Sequence, residues 1–227
     1  MDLLGLYRNI IGKIGPIIYE KNSHQLRSDN YISNAMIQVL KLKYKDEPKS
    51  GKKGNPLDRF SKEMDFLVES KFRNSTISKL CMNTDNNCLI LLDYIKHGDI
   101  LYRVIKEQCK DKKVFFIQGD VEVSQRETIR NLMEERSDII CIAISKIFST
   151  GINIKNLHYI MFAGSGKAKI KTLQSIGRGL RKHDSKDRLI IFDIADQLHY
   201  GRKHMLKRLS LYSKEKIQYG IKSLEEK

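Results

Sequence analysis

The sequence predicts an α/β fold, a mainly parallel sheet flanked by helices, with an N-terminal extension and a C-terminal basic helix. Three observations predict it. Cys88–Leu92, Val114–Ile117, Ile139–Ile144, Tyr159–Ala163 and Leu189–Phe192 are apolar at consecutive positions, as strands covered by helices on both faces require. Segments of helical periodicity lie between the early runs: Ile100 to Cys109, and Gln125 to Glu135 with Ile129, Leu132 and Met133 as its apolar stripe. The gaps suit right-handed strand–helix–strand crossovers, so ligands are expected at the carboxyl ends of the strands.

The remaining elements follow in order. Leu3 to Ile10 reads as a short helix. Ala35 to Tyr44 reads as a helix or a strand, because Met36, Val39, Leu40 and Leu42 fit neither period cleanly. The three prolines, Pro16, Pro48 and Pro56, all lie in the first quarter, and Pro48 to Pro56 encloses a flexible basic loop. Leu57, Phe60, Met64, Leu67, Val68 and Phe72 recur at helical spacing, and Ile77 to Met82 reads as a second short helix. Ser124-x-x-Glu127 reads as a capping box opening the Gln125 helix. Met205, Leu209, Tyr212 and Tyr219 predict one long helix over Arg202 to Lys222, lysines outward. The expected organisation is therefore an accessory segment over 1–84, an α/β domain over 85–200 and a basic amphipathic helix over 201–227.

Composition narrows the function. The chain has 227 residues, 41% of them hydrophobic, which is ordinary for a globular core, and its 42 lysines and arginines against 27 acidic residues give a net charge of +15. Such an excess points to a polyanion, nucleic acid before an anionic membrane. Charge is concentrated: Gly164 to Arg188 carries eight Lys/Arg against two aspartates. The four cysteines form no CxxC pair and no metal-ligand spacing, and three lie in or beside apolar runs, as buried free thiols do. A reducing, cytoplasmic setting is the expectation. No apolar run approaches the roughly 20 residues of a membrane span.

Thr172 to His183 is the most informative segment. On a helix Gln174, Arg178 and Arg181 share one face, while Leu173, Ile176 and Leu180 form the adjoining apolar stripe. Gly177 and Gly179 weaken such a helix by roughly 1 kcal/mol each, which suggests close approach of a backbone or ligand. Two fixed cations and an amide suit a phosphate chain whose charge shifts as its terminal group leaves. The plain alternative is a surface helix with solvated arginines.

The pattern Gln174-x-x-Gly177-Arg178-x-x-Arg181 resembles the sixth motif of superfamily 2 helicases and translocases. Ile142 to Ala163, a strand, a hydroxyl at Ser145 and a glycine at Gly151, resembles their motif V. Cys88 to Gly98 with the helix behind it resembles motif IV, and Phe115 to Gly119 with the following helix resembles the strand, glycine and helix between those motifs. The order matches over residues 88–193, and the wording of Ser149–His158 and Gly177–His183 is closest to recombination and repair helicases of phages.

The resemblance implies the C-terminal RecA-like lobe of an ATP-dependent DNA helicase, acting on branched or duplex DNA. Arg178 and Arg181 would be arginine fingers toward the ATP γ-phosphate, with Gln174 orienting the hydrolytic site. Gly151 and Asn153 would face nucleotide, though the family usually has an acidic residue where Asn153 stands. Ser145, Lys146, His97, Gly98 and Gly119 would lie along a nucleic-acid backbone, giving sequence-independent, salt-sensitive binding to DNA, with RNA an alternative. No metal ligand is expected in this lobe.

A phosphate-binding loop is missing from the sequence. Gly164-Ser-Gly-Lys167 lacks both the preceding glycine, where Met161 stands, and the following hydroxyl, where Ala168 stands. Apolar runs ending in Asp93 and Asp193 look like magnesium-binding strands, yet without that loop they read better as polar strand ends. ATP with Mg²⁺ would therefore be held mainly by an N-terminal RecA-like lobe, in cis or in trans. The opening residues resemble the inter-lobe connection and favour truncation. Alone, the chain is expected to be a monomer that hydrolyses nothing. One rival reading is a stand-alone nucleic-acid-binding or regulatory module. Another, a dinucleotide-binding enzyme, lacks its glycine-rich turn.

Overall fold

The computed structural model describes residues 34–46, 48, 55–119, 121–146, 154–164 and 188–227. In chain order the elements are β1 (Asn34–Lys43), α1 (Pro56–Glu69), α2 (Lys71–Met82), β2 (Cys88–Leu92), α3 (Ile95–Gln108), β3 (Lys113–Ile117), α4 (Val123–Glu135), β4 (Ile139–Ile144), β5 (Tyr159–Phe162), β6 (Arg188–Asp196), α5 (His199–Lys214) and β7 (Gln218–Glu225). The strands form one sheet in the order β3-β4-β2-β5-β6-β1-β7, and every pairing is parallel. The five apolar runs are β2 to β6.

Alternation along the strands sorts the core into two layers. Leu89, Leu91, Cys141, Ile160, Phe162, Leu189 and Ile191 face one side, closed by Met133 of α4 and by Met205 and Tyr212 of α5. Cys88, Ile90, Leu92, Ile140, Ile142, Met161 and Ile194 face the other, closed by Ile77 and Cys81 of α2 and by Leu101 and Ile105 of α3. All four cysteines are free and buried, and burial pushes the Cys141 thiol up to about 12.

The ambiguous stretch at 35–44 is a strand, β1. It fits neither simple pattern because both faces are apolar: Ile37 and Val39 enter one core layer, Leu40 and Leu42 the other. Its place between β6 and β7 brings residues from outside 85–200 into the central sheet.

Three local expectations are corrected. The apolar series from Leu57 to Phe72 spans two helices, since Ser70 adopts φ −60°, ψ 112° and its hydroxyl accepts from Arg73 N–H to start α2. The capping box does not form: α4 begins at Val123 after Glu122, and Ser124 lies inside it with its hydroxyl 3.3 Å from the Glu122 carboxylate. The long C-terminal helix stops at Lys214. Lys216 takes a left-handed φ of 50°, Ile217 N–H bonds to Tyr212 C=O at 2.9 Å and Lys216 N–H to Ser213 C=O at 3.1 Å. This is a Schellman stop, after which Gln218–Glu225 pairs with β1 as an edge strand. Among the described residues no helix is long and apolar enough to cross a membrane.

Candidate nucleic-acid and nucleotide interface

In a parallel sheet the backbone groups at the carboxyl ends of the strands face one edge, and here that edge is built from Asp93, Gln118–Gly119, Ser145–Lys146 and Ala163–Gly164. Ser145 caps β4. Its N–H and its hydroxyl both donate to Leu92 C=O, at 2.7 and 3.0 Å, so the side chain is buried and fixes the neighbouring β2 end. Lys146 follows directly and is exposed. Gly119 ends β3 with open space where a side chain would be, and its carbonyl accepts from Arg126 at 2.8 Å.

The end of β5 is the most tightly held. Ala163 and Gly164 N–H both bond to Leu91 C=O, at 2.8 and 3.0 Å. A Cβ on Gly164 would lie 2.5 Å from the Asp93 carboxylate, so a side chain there would have to displace Asp93. Arg73, wholly buried in α2, donates to Ala163 C=O at 2.6 Å and clamps Asp196 through Nε at 2.9 Å. Tyr44 donates to the same carboxylate at 2.5 Å. Burial opposes the Arg73 charge, but Asp196 and Tyr44 outweigh it and hold the guanidinium firmly protonated. Residues 165–187 leave from this stem and return at Arg188, the start of the neighbouring β6.

His97 and Gly98 lie elsewhere than expected. Expected along a nucleic-acid backbone, they form the first turn of α3 and are buried. His97 Nε2 is 3.0 Å from Asn74 Oδ1 and 3.3 Å from Arg73 Nη1. Burial first, and the Arg73 charge second, hold its pKa well below the usual histidine range, so the ring is neutral. Gly98 exists for packing: a Cβ there would sit 2.2 Å from the Phe116 ring, and its N–H bonds to Tyr94 C=O. Neither group presents a donor to a phosphate. Gln174, Arg178, Arg181, Gly151 and Asn153 lie outside the described residues.

Of the two aspartates that look like magnesium strands, Asp193 is wholly buried and accepts from Arg208 and Tyr212, each at 2.8 Å. Among the described residues no three His, Cys, Asp or Glu side chains gather as a metal site. Sequence reasoning missed Arg73. Its signal was the spacing Arg73, Ile77, Cys81, which places an arginine on the apolar stripe of α2.

Similarity to known proteins follows this geometry. The family model for the helicase conserved C-terminal domain matches residues 72–183. The ATP-dependent DNA helicase UvsW of Enterobacteria phage T4 is 30% identical over 233 aligned positions, 94% of this chain and 45% of that protein. The crystal structure of T4 UvsW superposes with a TM-score of 0.69 over 84% of this chain and 42% of its own. The ATP-dependent Type ISP restriction-modification enzyme LlaBIII, solved bound to DNA, shares the fold at a TM-score of 0.64 and 14% identity, over 95% of this chain and 17% of that one. The chain spans less than half the length of the curated relatives it matches.

Proposed function

Because the chain carries the C-terminal RecA-like lobe of the superfamily 2 helicases, we propose that it acts as the C-terminal motor lobe of an ATP-dependent DNA helicase or translocase serving recombination or repair of branched DNA. The observation that carries this reading is the β5 stem. The segment bearing Gln174, Arg178 and Arg181 follows a carboxyl end held by Leu91 and Arg73, with β2 between it and the strand end that presents Lys146.

In this reading Arg178 and Arg181 reach the γ-phosphate of an ATP gripped by an N-terminal RecA-like lobe, in cis or in trans. Gln174 orients the hydrolytic site, and Gly151 and Asn153 adjoin the nucleotide. Mg²⁺ would be held with ATP by residues of the other lobe and would supply neutralisation of the phosphate charge. Lys146 and the Gly119 turn contact the nucleic-acid backbone, while Ser145, whose two donors are engaged by Leu92, positions Lys146 and holds a phosphate only if its hydroxyl exchanges partners. Contacts of this kind set register and carry no sequence information. ATP closes the lobes and hydrolysis reopens them.

The test is ATP hydrolysis with and without DNA, measured for this chain alone, for an N-terminal lobe alone and for the two combined. DNA-stimulated turnover only in the combination is expected. A chain that binds DNA but adds nothing to the turnover of any such lobe is a binding module instead.

A further inference from the structure

A second cationic feature lies just beyond the carboxyl end of β6, between α1 and the first turn of α5. It is a cavity of about 70 Å³ lined by Arg59, Lys62, Glu63, Leu198, His199 and Tyr200, with Pro48 at its rim. That volume holds several waters, enough for the four oxygens of one phosphate. Arg59 Nε is buried with no hydrogen-bond partner among the described residues, although buried charged donors are almost always paired. Lys62 is exposed one turn along the same helix. His199 is exposed too, and its Nε2 lies 3.0 Å from Lys203 Nζ, which brings a third cation to the mouth.

The one acid in the wall does not cancel these charges. Glu63 is buried and turns both oxygens to the N-terminus of α5, accepting from Tyr200 N–H at 3.1 and 3.0 Å and from Gly201 N–H at 2.8 Å. Its charge is met by the positive end of that helix. The Tyr200 ring meets Phe60 edge-on at 5.2 Å and its hydroxyl bonds to Pro56 C=O at 2.8 Å, which ties the α5 wall of the cavity to α1. Helix α1 runs from this pocket toward a second cavity at the strand ends. Met64, Leu67 and Val68, further along α1, border Asp93, Tyr94 and Gly164, which puts Arg59 about 8 to 13 Å from that cleft at 1.5 Å per helical residue.

We propose that Arg59, Lys62 and Lys203 form a phosphate-binding pocket, and that the phosphate is a backbone group of the nucleic acid whose path crosses the strand ends. The source named here rests on the nucleic-acid reading above; the phosphate chemistry does not. A soluble phosphate is the other source.

The experiment compares the 227-residue chain with Arg59→Gln/Lys62→Gln, and with Lys79→Gln/Lys110→Gln, which removes equal charge from exposed sites near the amino ends of the strands. Fluorescence anisotropy with a labelled oligonucleotide is read across a salt series, and ³¹P NMR is read with inorganic phosphate. The pocket pair should weaken oligonucleotide binding about tenfold and flatten the log–log salt slope by about 1.4 to 1.8, two phosphate contacts at 0.7 to 0.9 each. The control pair should leave the slope unchanged, and matching melting temperatures show that both variants fold.

Oligonucleotide binding that keeps its slope in the pocket pair, with no phosphate signal lost, overturns the inference while the helicase reading stands. Phosphate binding that the pocket pair abolishes, in a chain that ignores the oligonucleotide, upholds the pocket, assigns it to a soluble phosphate and defeats the nucleic-acid reading. No response to either ligand overturns both.

Discussion

The two halves of the sheet are held by different physics. In β3, β4, β2 and β5 the buried side chains are apolar, and the buried polar groups beside them, Asn87, Ser145 and Asn156, are uncharged. In β6 and the helices against it sit Glu63, Arg73, Asp193, Asp196 and Arg208, all buried. Strand β6 carries one aspartate to each face. Asp193 meets Arg208 of α5 on one side, and Asp196 meets Arg73 of α2 on the other. A strand that binds a helix to each of its faces by an ion pair gains geometry rather than net energy, because desolvation takes back most of the attraction. The difference locates the strongest geometric specification of the sheet at β6, the strand beside β5.

The largest effect expected from this contrast is the loss of one buried partner. Arg73→Met leaves Asp196 buried beside a neutral side chain and should cost about 3–5 kcal/mol in denaturant unfolding, whereas Arg73→Met/Asp196→Leu should recover much of it. A single variant within about 1 kcal/mol of the parent breaks the distinction between the halves.

In the apolar half the comparable test is steric. Gly98→Ala drives a methyl into the Phe116 ring and should cost about 1–3 kcal/mol, relieved by Phe116→Leu. Loss of DNA affinity without loss of stability would instead make Gly98 a phosphate-contact glycine.

Acid sharpens the comparison through His97. Its folded pKa lies below the ordinary value of 6.5, so the unfolded chain binds the proton first and stability falls as pH drops below about 6.5. The slope approaches 1.4 kcal/mol per pH unit until the folded pKa is reached. Unfolding between pH 7 and 5 should show this fall in the parent and a flatter line in His97→Gln.

The smallest effect belongs to Ser145. Ser145→Ala removes one bond to Leu92 C=O and should cost about 1 kcal/mol, with nucleic-acid affinity falling only if the hydroxyl also serves a phosphate.

The same contrast explains what could be read from the sequence. Strands β2 to β6 were legible because unbroken apolar runs have one reading in a parallel sheet. β1 stayed ambiguous because apolar residues on both faces leave no alternation to see. β7 was hidden because Met205, Leu209, Tyr212 and Tyr219 keep helical spacing across a chain reversal set at Lys216, a non-glycine residue at positive φ. At the candidate site the strand ends were legible from motif order. The Arg73 clamp was not, since a lone arginine in a mixed helix looks solvated until Asp196, 123 residues away, is brought beside it. His97 reads as a backbone contact for the same reason: its partners, Arg73 and Asn74, come from another helix.

The proposed role of Arg178 and Arg181 is to act on a nucleotide held by a second lobe. DNA-stimulated ATP hydrolysis by the combined lobes, with Arg178→Ala and with Arg181→Ala, tests it most directly. Each substitution should lower turnover by about 10³-fold or more while DNA affinity without nucleotide stays near that of the parent. Turnover equal to the parent's in both variants would contradict the account.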